Sequence, residues 1–118
     1  MSWRRLPRAP APGAEVCAAD ALPDRGTLGV EIDGFPLLLV RLEAGLFCYF
    51  NACPHQGLPL DWRGGGVLGT QGAVLRCSNH GAGFDAATGQ GCEGLGRGCA
   101  LIAVPVVLRG DRVIVEGD

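Results

Sequence analysis

The stretch Thr27-Leu28-Gly29-Val30-Glu31-Ile32-Asp33-Gly34-Phe35-Pro36-Leu37-Leu38-Leu39-Val40-Arg41-Leu42 sets the fold class. Residues 27–32 alternate in the manner of a strand with one covered face. Asp33-Gly34 is a tight hairpin signal. Residues 35–42 form a second apolar run with Pro36 near its start. Glu43-Ala44-Gly45 turns the chain again, and Leu46-Phe47-Cys48-Tyr49-Phe50 gives a third run of large apolar residues. Three strands joined by two short turns make a β-meander.

Working outward, Glu15-Val16-Cys17 reads as a first short strand, and residues 1–13 read as a flexible, Pro-rich lead-in. Trp3 either tacks that lead-in down or stays exposed. Beyond the meander, the 20 glycines and 8 prolines of the 118-residue chain take over. Residues 51–66 carry Pro54, Gly57, Pro59 and Gly64-Gly65-Gly66, which exclude regular structure there. Residues 73–77 return to strand and residues 78–84 form a loop. Residues 86–89 turn the chain, and residues 89–98 are again Gly-rich. Residues 100–108 form a long apolar strand interrupted by Pro105. After Gly110-Asp111 comes a last strand, residues 112–116. No helix of useful length is expected, and residues 14–118 read as a single domain.

Composition excludes several classes. The formal net charge is −2, with ten cations, all of them arginine. No basic patch argues for nucleic acid. The apolar runs, residues 35–40 among them, are too short to span a membrane. Arg4, Arg5 and Arg8 near the start are followed by Ala-Pro-Ala-Pro-Gly rather than by an apolar core, so the pattern is not that of a secretory signal. A cytoplasmic location is the expectation, and there cysteine is more often metal-binding or buried than paired.

The chain has two histidines and six cysteines. Both histidines lie within three residues of a cysteine: Cys53-Pro54-His55 in one loop and Cys77-Ser78-Asn79-His80 in the other. Thiolate and imidazole are the ligands that zinc and iron select. Glycine closes each loop, Gly57 and Gly81, and lets backbone amides turn toward sulfur, where N–H donors stabilise negative charge. Zinc accepts two cysteines and two histidines, but its usual order groups a cysteine pair and then a histidine pair. Here the order is Cys, His, Cys, His. No Ser-His-Asp, Cys-His or paired-carboxylate arrangement stands beside these residues.

The stretches Asn51-Ala52-Cys53-Pro54-His55-Gln56-Gly57-Leu58-Pro59-Leu60 and Cys77-Ser78-Asn79-His80-Gly81-Ala82-Gly83-Phe84-Asp85, with Thr88-Gly89 behind, resemble the two cluster loops of small Rieske-type [2Fe–2S] ferredoxins. The resemblance implies an all-β fold, a Rieske-like antiparallel β-sandwich with a small cluster-binding subdomain formed by the two loops. It implies one [2Fe–2S] cluster, with Cys53 and Cys77 on one iron and His55 and His80 on the other. Two thiolates leave the oxidised core about neutral where four would leave it doubly negative, so an electron is added more easily. Histidine ligation accordingly places such clusters at roughly −150 to +300 mV.

High-potential relatives carry a further cysteine in each loop, joined as a disulfide, and present serine and tyrosine hydroxyls to cluster sulfur. This chain has Asn79 at the matching place in the second loop, no second cysteine in the first, and Ala82 and Phe84 where the hydroxyls would be. The lower part of the range is therefore expected, with a potential that falls at alkaline pH as the outer histidine nitrogens lose protons. Residues 94–98 stand where the family places a third, proline-containing loop.

The implied function is one-electron transfer by a low-potential carrier, not catalysis, with a flavin reductase and a terminal oxygenase as partners. The alternatives are a fixed small subunit of a reductase or oxygenase complex, nitrite-reductase-like, or a cluster-based redox sensor. Cys17, Cys48, Cys92 and Cys99 are read as small buried hydrophobes, with a Cys92–Cys99 disulfide as the alternative. Trp62 is read as packing beneath the first loop, with a docking contact as the alternative, Gln56 and Leu58 as edge or plain loop residues, and Asp85 as a turn cap.

Overall fold

The computed structural model describes residues 3–22, 24–43, 45–52, 60, 74–76, 82–93 and 98–116. Among them nine strands form three antiparallel sheets: β1 (Glu15–Ala18), β2 (Gly26–Ile32), β3 (Phe35–Leu42), β4 (Gly45–Phe50), β5 (Val74–Arg76), β6 (Gly83–Asp85), β7 (Gly91–Glu93), β8 (Val106–Arg109) and β9 (Arg112–Val115). The sheet orders are β1-β9-β8, β2-β3-β4 and β5-β6-β7. Two short 3-10 turns, Trp3–Arg5 and Ala19–Ala21, are the helical elements among the described residues. The chain divides into two compact units, one of Met1–Phe50 with Ile102–Asp118 and one of Asn51–Leu101.

In the first unit the meander is realised with the expected turns. Asp33 and Gly34 take φ of 47° and 86° and join Ile32 to its partner Phe35. Positive φ at both central residues is the requirement of a type I′ turn, which Asp-Gly meets at low cost. Because β3 is apolar at successive positions, it is buried on both faces, as a strand without alternation must be. Phe35, Leu37 and Leu39 face a core shared with Val16, Val113 and Val115 of the β1-β9-β8 sheet, with Cys48 and Val104 beside them. Leu38, Val40 and Tyr49 are buried on the opposite face. The two sheets that share this core make the antiparallel sandwich expected from the sequence.

Trp3 belongs to that core, only 5% exposed, and Leu6 and Ala9 pack against it. Of the two readings of Trp3, the structure shows the tacked-down one. The Arg4 guanidinium lies 5.5 Å from the Trp3 ring centroid.

Three local expectations need correcting. Residues 100–108 do not form one strand. Val104 N donates to Cys48 O at 2.9 Å and Phe50 N to Ile102 O at 2.8 Å, so residues 102–104 bond along β4. Past Pro105 the chain becomes β8 and pairs with β9 instead. Proline has no N–H to continue a ladder, which makes it a natural place to change sheets. Phe84, assigned to a loop, is the centre of β6, and the Gly-rich residues 89–98 contain β7.

Candidate functional site

Cys53, His55, Cys77 and His80 lie outside the described residues, as do Gln56, Leu58, Trp62 and most of residues 94–98. The structure describes the positions from which the chain enters and leaves the two loops, and all of them belong to the second unit.

The first loop runs from Asn51 to Leu60. Asn51 is the buried polar residue among those described, 5% exposed. Its Oδ1 accepts a hydrogen bond from Leu60 N at 2.9 Å across nine positions of sequence. Leu60 is itself fully buried. A buried amide oxygen of this kind is held where its partner is, because losing the partner costs the full desolvation of the donor.

The second loop runs between β5 and β6. Val74 pairs with Asp85, Leu75 with Phe84 and Arg76 with Gly83, so residues 77–82 connect two strands whose ends are in register. Leu75, Ala82 and Phe84 are all fully buried. Ala82 and Phe84, the positions without a hydroxyl, are interior positions, and Gly83 between them is buried as well, so the start of β6 is covered at successive residues.

Behind β6 the turn is fixed by Asp85. Its Oδ1 accepts from Ala87 N at 2.9 Å and from Thr88 N at 3.0 Å. Its backbone closes the same turn: Gly89 N donates to Asp85 O and Asp85 N to Gln90 O. Asp85 is thus the turn cap read from the sequence, an Asx-type arrangement. Beyond it, Gly91 N donates to Cys99 O and Leu101 N to Gly89 O, which ties residues 99–101 to the start of β7.

The cysteines outside the two loops differ from expectation. Cys48 is buried and its thiol is pushed up to about 12, chiefly by burial, with the neighbouring Cys17 adding and the Tyr49 backbone hydrogen bond opposing. Burial also raises Cys17, with Glu15 contributing. Cys17 and Cys99 are only half-buried, and Cys92 is exposed on β7. The reading of all four as buried hydrophobes holds for Cys48 alone. Cys92 sits on β7, a three-residue strand at the edge of the β5-β6-β7 sheet, so little of that sheet flanks its side chain. None of the described cysteines is in a disulfide.

The donor chemistry suits a two-iron cluster of the kind implied above. Two thiols and two imidazoles stand in Cys-x-His and Cys-x-x-His steps, and the loops that carry them start and finish at a buried hydrogen bond and at a strand pair. The interior of this unit is apolar at Leu60, Leu75, Ala82 and Phe84. An apolar shell of this kind limits solvent around a cluster. Asn51 and Leu60 frame the first Cys/His step, but nothing in one sequence separates a buried, latching asparagine from the many that simply favour turns.

Comparison with known proteins agrees. The sequence matches the Rieske [2Fe-2S] domain over residues 14–98. No curated protein matches the chain. Among solved structures, the ferredoxin of carbazole 1,9a-dioxygenase from Nocardioides aromaticivorans IC177 is 23% identical, with a TM-score of 0.75 over 92% of this chain and 100% of that one. The Sphingomonas yanoikuyae B1 ferredoxin is 20% identical, with a TM-score of 0.73 over 90% of this chain and 99% of that one. A chain from the complex of reduced oxygenase and oxidized ferredoxin in carbazole 1,9a-dioxygenase is 25% identical, with a TM-score of 0.72 over 89% of this chain and 93% of that one. A match that spans β1 to β7 and both Cys/His steps leaves one conclusion: the chain belongs to the Rieske [2Fe-2S] domain family.

Proposed function

We propose that this chain is a one-electron carrier in which Cys53 and Cys77 hold one iron and His55 and His80 the other. The observation that carries the reading is that the family match, residues 14–98, spans both Cys/His steps. When bound, the cluster supplies a single-electron couple in the range of histidine-ligated centres, roughly −150 to +300 mV. The chain's own residues do the rest. Two thiolates and two neutral imidazoles set the charge of the site. Buried Leu60, Leu75 and Phe84 exclude water from the unit that carries it. Ala82 and Phe84 bring no hydroxyl toward sulfur, which favours the lower part of the range.

The carrier has no substrate chemistry of its own and works in the cytoplasm. Its acceptor is a terminal oxygenase and its donor a flavin reductase. The support is the likeness, over nearly the whole chain, to ferredoxins of dioxygenase systems, one of them seen with its oxygenase. No helix among the described residues is long and apolar enough to cross a membrane.

The test is anaerobic purification with iron, zinc and acid-labile sulfide quantified, and EPR of the dithionite-reduced protein. Iron and sulfide in equal amounts with a signal of average g below 2 are expected. One zinc and no sulfide would refute the reading. Cys77→Ser and His80→Ala should each abolish the signal.

A further inference from the structure

We propose that Asn51 is a positioning residue for the first cluster loop: its buried side-chain oxygen, bonded to Leu60 N, holds the loop's two ends together. The inference rests on the function proposed above and extends it to a residue outside the ligand set.

The two loops are closed by different means. The second connects two strands, and Arg76 pairs with Gly83 across its base. That closure is backbone to backbone, which most side chains can accommodate. The first loop leaves β4 after Phe50, and at its far end Leu60 is held by a side chain rather than by a paired strand among the described residues. This bond, unlike a backbone ladder, depends on residue identity. Only a side chain with an acceptor at the reach of Asn51 Oδ1 reproduces it.

Burial decides how much the bond matters. Asn51 is 5% exposed and Leu60 fully buried. In such surroundings a hydrogen bond is electrostatically stronger than in water, and water cannot readily replace a missing acceptor. Bringing the ends together before the metal arrives also removes loop-closure entropy that binding would otherwise have to supply. Two ligands, Cys53 and His55, lie between the ends. A loop held in this way binds iron more tightly than one ordered by the metal alone.

The experiment compares full-length Asn51→Leu and Asn51→Asp with the unsubstituted protein and with Leu37→Ala, a sandwich-core variant. Leucine keeps the volume and removes the acceptor; aspartate keeps the acceptor. Each protein is purified anaerobically and followed for iron release to a chelator, for the EPR line shape of the reduced cluster and for thermal midpoint. Asn51→Leu should release iron about tenfold faster or more, the scale set by a buried donor deprived of its partner. Its EPR line shape should change. Asn51→Asp keeps an acceptor but loses the amide donors and adds a charge, so it should release iron more slowly than Asn51→Leu without matching the unsubstituted protein, and Leu37→Ala should lower the midpoint while leaving the line shape unchanged. If Asn51→Leu does not accumulate, Asn51→Ala takes its place against the same aspartate rescue.

Unchanged release and line shape in the acceptor-free variant would overturn the proposal. So would equal loss in the leucine and aspartate variants, or a loss no greater than that of Leu37→Ala at matched midpoint. An unsubstituted protein that yields zinc and no sulfide instead overturns the carrier reading itself, before any variant is compared.

Discussion

Asn51 Oδ1 and Leu60 N are joined by a buried 2.9 Å hydrogen bond, whereas Arg76 and Gly83 close the neighbouring loop as a strand pair. A side-chain latch and a backbone ladder differ in what disturbs them. The ladder is indifferent to most substitutions on its surface but depends on the apolar pair beneath it, Leu75 and Phe84. Leu75→Ala should therefore cost about 2–5 kcal/mol, the range for truncating a fully buried leucine. Urea denaturation of the anaerobic protein should show the loss, and the iron content after purification should fall with it. A variant as stable as the unsubstituted protein would contradict the packing described for β5 and β6.

Phe84 offers a test of the potential. A tyrosine hydroxyl there, if it donates to a cluster sulfur, stabilises the reduced state by about 1 kcal/mol, typical of one hydrogen bond. For a one-electron couple a tenfold change in equilibrium is 59 mV, so Phe84→Tyr should raise the potential by about 40–60 mV. Ala82→Ser should shift it in the same direction. Protein-film voltammetry reads both. A potential that stays put while stability falls would mean that the hydroxyl is buried without reaching sulfur.

The Cys48 thiol gives the fold a weakness at high pH. Its folded-state value, about 12, lies above the ordinary 9.0 of the unfolded chain. The unfolded state therefore releases this proton first. Stability is whole below pH 9, declines as pH rises from there toward 12, and declines by at most about 1.4 kcal/mol per pH unit. Cys48→Ala should lower stability near neutral pH by leaving a small cavity, yet flatten the alkaline slope. Urea midpoints at pH 7, 9 and 10.5 decide it; equal slopes in the two proteins would sink the assignment.

Thiol labelling should rank the cysteines by cover. Cys92 is exposed and Cys48 is buried with a raised pKa. Reactivity follows access and thiolate fraction. A maleimide added in substoichiometric amount to the intact protein should mark Cys92 first, located by peptide mass mapping, and Cys92→Ser should remove the fast phase. Cys48 should stay unlabelled until the protein unfolds.

Most of the meander was legible because its signals are local. Asp33-Gly34 names its own turn type, and the uninterrupted apolar run of β3 announces burial on both faces. Asp85 was legible for the same reason: an aspartate before Ala-Ala-Thr-Gly caps the turn with its own side chain. What escaped depends on distant partners. Residues 100–108 look like one strand because Pro105 marks an interruption without telling that β4 takes one half and β9 the other. Cys92 looked like a core residue because cysteine commonly is one, and exposure is a property of the sheet around it. At the candidate site, the Cys/His steps were plain from ligand chemistry, and the same four residues lie outside the described ones. The latch at Asn51 was hidden, since its meaning lies in a backbone amide nine positions away.

The pairing of β1 with β9, Cys17 opposite Val113, has a consequence for how the protein is made. These strands meet from opposite ends of the sequence, and each contributes to the core through Val16, Val113 and Val115. Such a distant contact raises contact order and slows folding. On the ribosome, where segments emerge in order, the meander can zip up early, but β1 has no partner until residues 112–115 have been synthesised. The sandwich is thus a late event in the protein's biogenesis. Residues 51–101, including all four candidate ligands, are already made when it closes, so iron can arrive at a chain whose β-sandwich is still waiting for its last strand.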